Sequence, residues 1–184
     1  MQQRTNKIAL TGILGAIAIL LGLTRWGFIP WFGGVSLTIM HVPVIIGAIL
    51  AGPLVSAGIG LIFGLFSMFQ AAIAPAGPTD VWFTNPLLSV VPRLFIGPIA
   101  WLAYSALKNH QIPAILFGAA AGSIANTVLV LGTLGLMGYL PWTVLGSIAL
   151  INGVPEIIVS ALISLFVIAA IRQIRLGKKQ GADL

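Results

Sequence analysis

The sequence has little charge and no cysteine. Only 7% of its 184 residues are charged, and three of them are acidic, whereas soluble domains carry about 25% charged residues. Hydrophobic residues make up 59% of the chain, and the mean hydropathy is +1.11. This composition excludes a water-soluble fold. The lack of cysteine excludes disulfides, thiolate nucleophiles and thiolate metal ligands.

Sequence motifs of several enzyme classes are also missing. The chain has no glycine-rich phosphate loop with its lysine and Ser/Thr, no HExxH and no carboxylate pair. ATP hydrolysis by that loop, zinc proteolysis and paired acid–base catalysis are therefore not expected. We predict a non-catalytic chain with no cofactor and no metal.

Six apolar stretches divide the chain. They are longer than the ~9–11 residues of a membrane barrel strand and do not alternate in polarity, so they predict helices. A bilayer core of ~30 Å needs about 20 residues. We predict an all-α integral membrane protein with one domain, residues 1–184, and spans at about 7–24, 36–51, 54–73, 86–107, 112–137 and 143–171.

The basic residues fix the predicted orientation. Six crossings put both termini on one side, and the positive-inside rule makes the lysine- and arginine-rich side cytoplasmic. This placement also explains the net charge of +6 without nucleic acid. The first apolar stretch lacks a small-residue cleavage site, so we expect a retained helix and not a signal peptide. The cytoplasmic set is Arg4, Lys7, Lys108, Arg172, Arg175, Lys178 and Lys179, with Arg25 opposite.

Two charged residues, Arg93 and Glu156, lie inside apolar stretches. A charge near the bilayer centre costs about 2.5–3.5 kcal/mol on insertion scales. Two interpretations remain open. The pair forms a structural ion pair between spans four and six, or it belongs to a pocket for a small polar molecule.

Further polar residues lie in the outer half of the predicted spans. Asn152 and Glu156 are four residues apart and share one helix face. His41, Asn85 and Asn126 lie at similar depths in other spans. This distribution predicts a pocket open to the outside. Interhelical hydrogen bonds are the alternative for the asparagines, and a carbonyl freed by Pro43 is the alternative for His41.

Aromatic side chains are concentrated at the outer end. Four of the five tryptophans, Trp26, Trp31, Trp82 and Trp142, lie there with Tyr139. An interfacial belt explains Trp142. For the others the one-sided distribution favours a cover over the polar pocket, because small-molecule sites are mostly apolar.

Small residues recur at a spacing of four, which lets helices approach closely. Most such pairs are expected to pack within the chain. The first pair could equally form a groove for another membrane subunit. The pairs are Gly12 and Ala16, Gly60 and Gly64, and Gly118 and Gly122.

Two stretches carry a family resemblance. Ser36–Ser67 contains TIMHVPVIIGAILAGP followed by FGLFS, and Phe83–Pro98 reads FTNPLLSVVPRLFIGP. With six spans and an outer polar pocket, the chain resembles the substrate-binding S components of energy-coupling factor (ECF) vitamin transporters. It looks closest to the pantothenate group.

The resemblance implies a high-affinity vitamin binder in the plasma membrane of a prokaryote. Its partners would be a transmembrane coupling subunit and two cytoplasmic ATPases. The coupling subunit would dock on Gly12 and Ala16, where the family has an Ala-xxx-Ala-like motif. Arg93 would pair the pantothenate carboxylate. The expected substrate-binding residues are Trp26, His41, Trp82, Asn85, Arg93, Asn126, Tyr139, Asn152 and Glu156.

Other functions stay open at this point. If Glu156 neutralises Arg93, another vitamin such as cobalamin or folate is as plausible as pantothenate. A stand-alone carrier or channel would need polar lining through the inner half, which is nearly bare. A structural subunit would depend on Gly12 and Ala16 but not on Arg93. An intramembrane enzyme lacks a nucleophile–base pair.

Overall fold

A computed structural model describes residues 2–24, 26–30, 36–75 and 79–174. In these ranges the chain forms seven α-helices, one 3₁₀ helix at Asp80–Thr84, and strands β1 (Phe28–Pro30) and β2 (Ser36–Thr38). The all-α fold class is confirmed, with a short ribbon of two strands added to it. The helices are α1 Gln2–Leu23, α2 Val42–Ala51, α3 Pro53–Ile73, α4 Pro86–Ser89, α5 Val91–Ala106, α6 Gln111–Leu136 and α7 Trp142–Arg172.

The long helices run back and forth between two ends. The terminal end holds the start of α1 and the last turn of α7. There Arg172 of α7 donates from Nη2 to the Ile49 carbonyl of α2 at 2.7 Å and from Nη1 to the Tyr104 hydroxyl of α5 at 2.8 Å. The opposite, loop end holds the β1–β2 ribbon, the 3₁₀ helix and the α6–α7 connection.

Five helical stretches are long and apolar enough to cross a membrane, with α4 and α5 together forming one of them. The predicted second span, 36–51, is different. Its first residues pair with β1 in antiparallel register, Phe28 opposite Thr38, and α2 begins only at Val42. At about 1.5 Å per residue, α2 extends about 15 Å, half of a bilayer core. Pro43, whose fixed φ suits a first helical turn, sets that start.

The short helix α2 lies at the centre of the protein. Every residue from Val42 to Ile49 is buried, and α2 contacts α1, α3, α5, α6 and α7. The outer faces of the long helices carry exposed apolar side chains such as Leu54, Phe69, Leu150 and Phe166. A protein in water would bury such a surface, whereas lipid tails accommodate it.

Glycines bring α3 into backbone contact with α4 and α5. A Cβ added to Gly64 would lie 2.8 Å from the Ser89 carbonyl oxygen, and one added to Gly60 would collide with the Arg93 carbonyl. Gly97 of α5 faces Ser56 of α3 just as closely. The backbone that carries Arg93 is thus fixed by contacts that only glycine permits.

Of the two other small-residue pairs, the pair on α6 is packed against a helix and the pair on α1 is exposed. Gly118 and Gly122 of α6 pack against α5, where a Cβ would meet the Ala100 carbonyl and Cβ at 3.0 Å. Their predicted role in internal packing is confirmed, as it is for Gly60 and Gly64. In contrast, Gly12 of α1 has nothing within 4 Å of an added Cβ, and Ala16 is exposed.

We expect Gly60→Ala to destabilise the protein by about 1–3 kcal/mol, the range of overpacked cores. The added methyl group must push α5 away from α3 at Arg93. Thermal unfolding in detergent measures the effect. Gly132→Ala is the matched control, because it is also helical and has nothing within 4 Å. Equal stability of the two variants would contradict the close helix contact.

Candidate functional site

The placement of Arg93 follows from the proline before it. Pro92 has no N–H to donate to the carbonyl four residues back, which belongs to Leu88. Arg93 Nη1 donates to that oxygen at 2.5 Å. The guanidinium also lies over the rings of Phe63 and Phe83, 5.4 and 5.2 Å from their centroids. The side chain is only 6% exposed.

Arg93 and Glu156, both within the described residues, do not pair with each other. Glu156 Oε1 accepts from the Thr38 backbone N–H at 2.7 Å, and Oε2 accepts from Thr127 Oγ1 at 3.3 Å. Arg93 Nε is buried and has no hydrogen-bond partner. The structural ion pair, one of the two interpretations of these charges, is therefore not formed. A buried guanidinium retains an unused donor.

A line of polar side chains faces inward along α7. We call Asn152, Glu156, Ser160 and Ser164 the polar row; they follow one another at a spacing of four and all are buried. The facing helix α6 adds Asn126, which is 7% exposed. The carboxamide oxygens of Asn126 and Asn152 have no hydrogen-bond partner. Leaving a buried acceptor unpaired costs about 1–3 kcal/mol, so both oxygens are available for a ligand's donors.

His41 packs against the polar row. It precedes α2 and is fully buried, with Nε2 2.8 Å from the Ser160 hydroxyl. Its other ring nitrogen, Nδ1, has no partner. The side chain thus connects α2 to α7 and does not bond to a carbonyl freed by Pro43.

Asn85 caps a helix. Its side-chain oxygen accepts from the Leu87 N–H at 2.9 Å at the start of α4. Asparagine is a favoured N-cap because its oxygen satisfies a donor that the helix leaves free. This contact uses the oxygen that a ligand would otherwise reach.

The structure brings two of the predicted aromatic residues together at the loop end. Trp82 and Tyr139 stack with centroids 5.0 Å apart and planes at 16°, and both pack against the cluster of buried Leu88, Leu134 and Leu145. This aromatic cover (Trp82 and Tyr139) therefore shares a cluster with Leu88, whose carbonyl accepts from Arg93. Trp26 is separate from it, with 79% of its surface exposed. Trp31 lies outside the described residues.

The candidate site residues are buried within the part of the chain that the structure describes. Arg93, Asn126, Asn152 and Glu156 are each 6–7% exposed. An open groove of about 390 Å³ lies elsewhere, at the terminal end between α1 and α2. Among the described residues these buried side chains offer one cation and two acceptors without a partner, a set of groups that suits an anion with hydrogen-bond donors. The groove is lined by Asn6, Lys7, Leu10, Leu50 and Ala51.

Several polar residues near the site were not predicted. Ser160 extends the spacing of Asn152 and Glu156 by one more turn, so helical periodicity could have indicated it. Thr127 follows Asn126 directly. Thr38 contributes its backbone N–H, and no side-chain pattern could have revealed that contact.

We expect Asn126→Leu to leave the stability of the ligand-free protein unchanged or to raise it, because it removes a buried acceptor that has no partner. Ser160→Ala is the comparison, since its hydroxyl is bonded to His41 and its loss should cost about 1 kcal/mol. Thermal unfolding in detergent measures both. A clear loss of stability in Asn126→Leu would assign that residue to helix packing.

Comparison with known proteins identifies the family of the chain. The family model of the substrate-specific component of ECF transporters matches residues 6–168. The pantothenic acid transporter PanT of Lactococcus lactis subsp. cremoris is 29% identical over 194 residues, which cover 95% of this chain and 97% of that protein. The pantothenate transporter PanT of Leuconostoc mesenteroides is 30% identical over 139 residues, 73% of this chain and 67% of that protein. The chain therefore belongs to the family of substrate-specific components of ECF transporters.

Proposed function

We propose that this chain is the pantothenate-binding subunit of an ECF-type importer. The observation that carries the proposal is Arg93, a buried guanidinium with an unused donor and no acidic partner among the described side chains. Pantothenate is an anion that bears hydroxyl and amide groups. The two relatives described above carry the names of pantothenic acid and pantothenate transporters.

The ligand's groups complement those left free in the site. Its carboxylate would pair with Arg93, since a guanidinium binds carboxylates well. Its hydroxyl and amide donors would bond to the carboxamide oxygens of Asn126 and Asn152. A ligand carboxylate would also reduce the cost of keeping Arg93 charged away from water.

The nine predicted substrate-binding residues divide by their contacts. We assign ligand contact to Arg93, Asn126 and Asn152, and the closing of the site to the aromatic cover (Trp82 and Tyr139). The other four would act around this core. His41 and Glu156 support the walls through hydrogen bonds, Asn85 caps α4, and Trp26 would reach the ligand only by moving inward from its exposed position.

The rest of the importer would be supplied by other chains. In this proposal a transmembrane coupling subunit docks on Gly12 and Ala16, and two cytoplasmic ATPases provide the energy. The exposed, unobstructed surface at Gly12 supports such a helix contact. The chain would lie in the plasma membrane of a prokaryote with both termini in the cytoplasm, so that the aromatic cover faces the outside.

The purified protein is expected to bind pantothenate without ATP. Arg93→Ala should raise the Kd at least tenfold, or about 1.4 kcal/mol, because the carboxylate loses its cation. Isothermal calorimetry in detergent measures both. The matched control is Arg172→Ala, since Arg172 also bonds to a helix carbonyl and contacts an aromatic ring but lies at the terminal end.

The outcomes distinguish an error in the identity of the ligand from an error in the role of Arg93. No heat with pantothenate from a folded wild-type protein would refute pantothenate as the substrate. Wild-type affinity in Arg93→Ala would make that residue structural. Equal weakening in Arg93→Ala and Arg172→Ala would point to a general loss of structure.

A second expectation concerns the docking surface. Gly12→Leu and Ala16→Leu place large side chains where the partner helix would approach. Both should abolish co-purification with the coupling subunit and pantothenate uptake by cells, while calorimetric binding remains unchanged. Gly146→Leu is the control, because Gly146 is also exposed, has nothing within 4 Å of an added Cβ and lies on α7. Normal complex formation by both α1 variants would refute this surface.

A further inference from the structure

We propose that Glu156 is a positioning residue. It seats the segment Thr38–His41 on the polar row and thereby sets the rate at which ligand enters and leaves. The inference rests on the proposed function only for the identity of the ligand. It gives Glu156, which the sequence predicted to bind substrate, the role of an anchor for the segment that forms one wall of the site.

The polar row holds the segment at two points. The Thr38 N–H donates to Glu156 Oε1 at 2.7 Å, and the His41 ring meets the Ser160 hydroxyl at 2.8 Å. Glu156 and Ser160 are one helical turn apart, as the spacing of four residues requires. The segment between the two contacts leads from the β1–β2 ribbon directly into α2.

The contact to Glu156 holds the backbone directly, whereas the contact to Ser160 holds it only through the His41 side chain. The Glu156 side chain is 6% exposed, so water competes little for the Thr38 N–H. Its second oxygen accepts from Thr127 of α6. One carboxylate therefore joins β2, α6 and α7.

The neighbours of these contacts are the proposed ligand contacts. Asn152 is one turn before Glu156 on α7, and Asn126 precedes Thr127 on α6. Release of the segment Thr38–His41 would therefore loosen the parts of α6 and α7 that carry Asn126 and Asn152. It would also free His41 and the start of α2, which is otherwise buried from Val42 to Ile49.

Direct binding of the ligand by Glu156 fits these contacts poorly. Oε1 already accepts from the Thr38 N–H, and Oε2 lies 3.3 Å from the Thr127 hydroxyl, whose one hydrogen is shared with the Ser123 carbonyl. A carboxylate would also repel an anionic ligand, whereas Arg93 has no acidic partner among the described side chains and keeps an unused donor at Nε. The two buried side chains thus have separate roles. Arg93 binds the ligand, and Glu156 holds the backbone at Thr38.

Hydrogen–deuterium exchange of the complete, ligand-free protein tests the anchor. In Glu156→Ala the peptide covering residues 36–41 should exchange at least tenfold faster, and in Ser160→Ala it should exchange faster by a smaller factor. Glu156→Gln should restore most of the protection, since its carbonyl oxygen can still accept from Thr38. Ser164→Ala is the matched control: it lies on the same row and is buried, but its hydroxyl has no partner, so its exchange should equal that of the wild type.

Pantothenate kinetics supply the second measurement. Glu156→Ala should raise the dissociation rate at least tenfold, and Glu156→Gln should return it to within about threefold of wild type. Wild-type exchange of residues 36–41 in both Glu156→Ala and Ser160→Ala would overturn the inference. So would a Glu156→Gln variant with normal exchange but a loss of affinity as large as that of Arg93→Ala, which would make Glu156 a ligand contact. Because the exchange measurement uses no ligand, it stands even if pantothenate is not the substrate.

Discussion

The constraint on which this structure depends is that lipid offers no hydrogen bond to a backbone carbonyl. Proline creates such carbonyls because it has no N–H to donate to the residue four positions earlier. Pro92 does so for the Leu88 carbonyl, which Arg93 reaches. Helix ends leave carbonyls free as well, and Arg172 reaches the Ile49 carbonyl in the last turn of α2. Arg93 and Arg172 therefore hold their positions through backbone hydrogen bonds, and neither depends on a carboxylate.

The two arginines differ in the surroundings of the rest of the guanidinium group. Arg172, at the terminal end, also donates to the Tyr104 hydroxyl and is exposed, so water can solvate the rest of its charge. Arg93 lies between two aromatic rings and keeps an unpartnered Nε in the interior. A buried cation without a counter-ion is expensive, and a protein that retains one gains most when an anion arrives. The same chemical group thus links helices at one end and, in the proposed function, binds the ligand at the other.

Helical periodicity and composition explain how much could be predicted. The apolar stretches predicted the long helices, and the spacing of Asn152 and Glu156 correctly put both on the buried face of α7. The sequence could not tell whether Glu156 meets Arg93, because that depends on rotamers and on a backbone N–H at Thr38, 118 residues away. It also hid the short length of α2, since the residues of β2 are as compatible with an apolar helix as with a strand.

The polar row inverts the pattern of a soluble helix, with hydroxyl, carboxamide and carboxylate groups inside and apolar side chains such as Leu150 and Phe166 outside. Folding gains nothing from burying Asn152 or Asn126 without a partner, and an apolar core would cost less. A ligand that supplies the missing donors would recover that free energy on binding. The unpaired acceptors thus lower the stability of the ligand-free protein and would increase its affinity for such a ligand. Glu156 and Ser160 differ from Asn152 because the chain itself satisfies them. In the proposed function they hold the shape of the site, whereas Asn152 contacts the ligand.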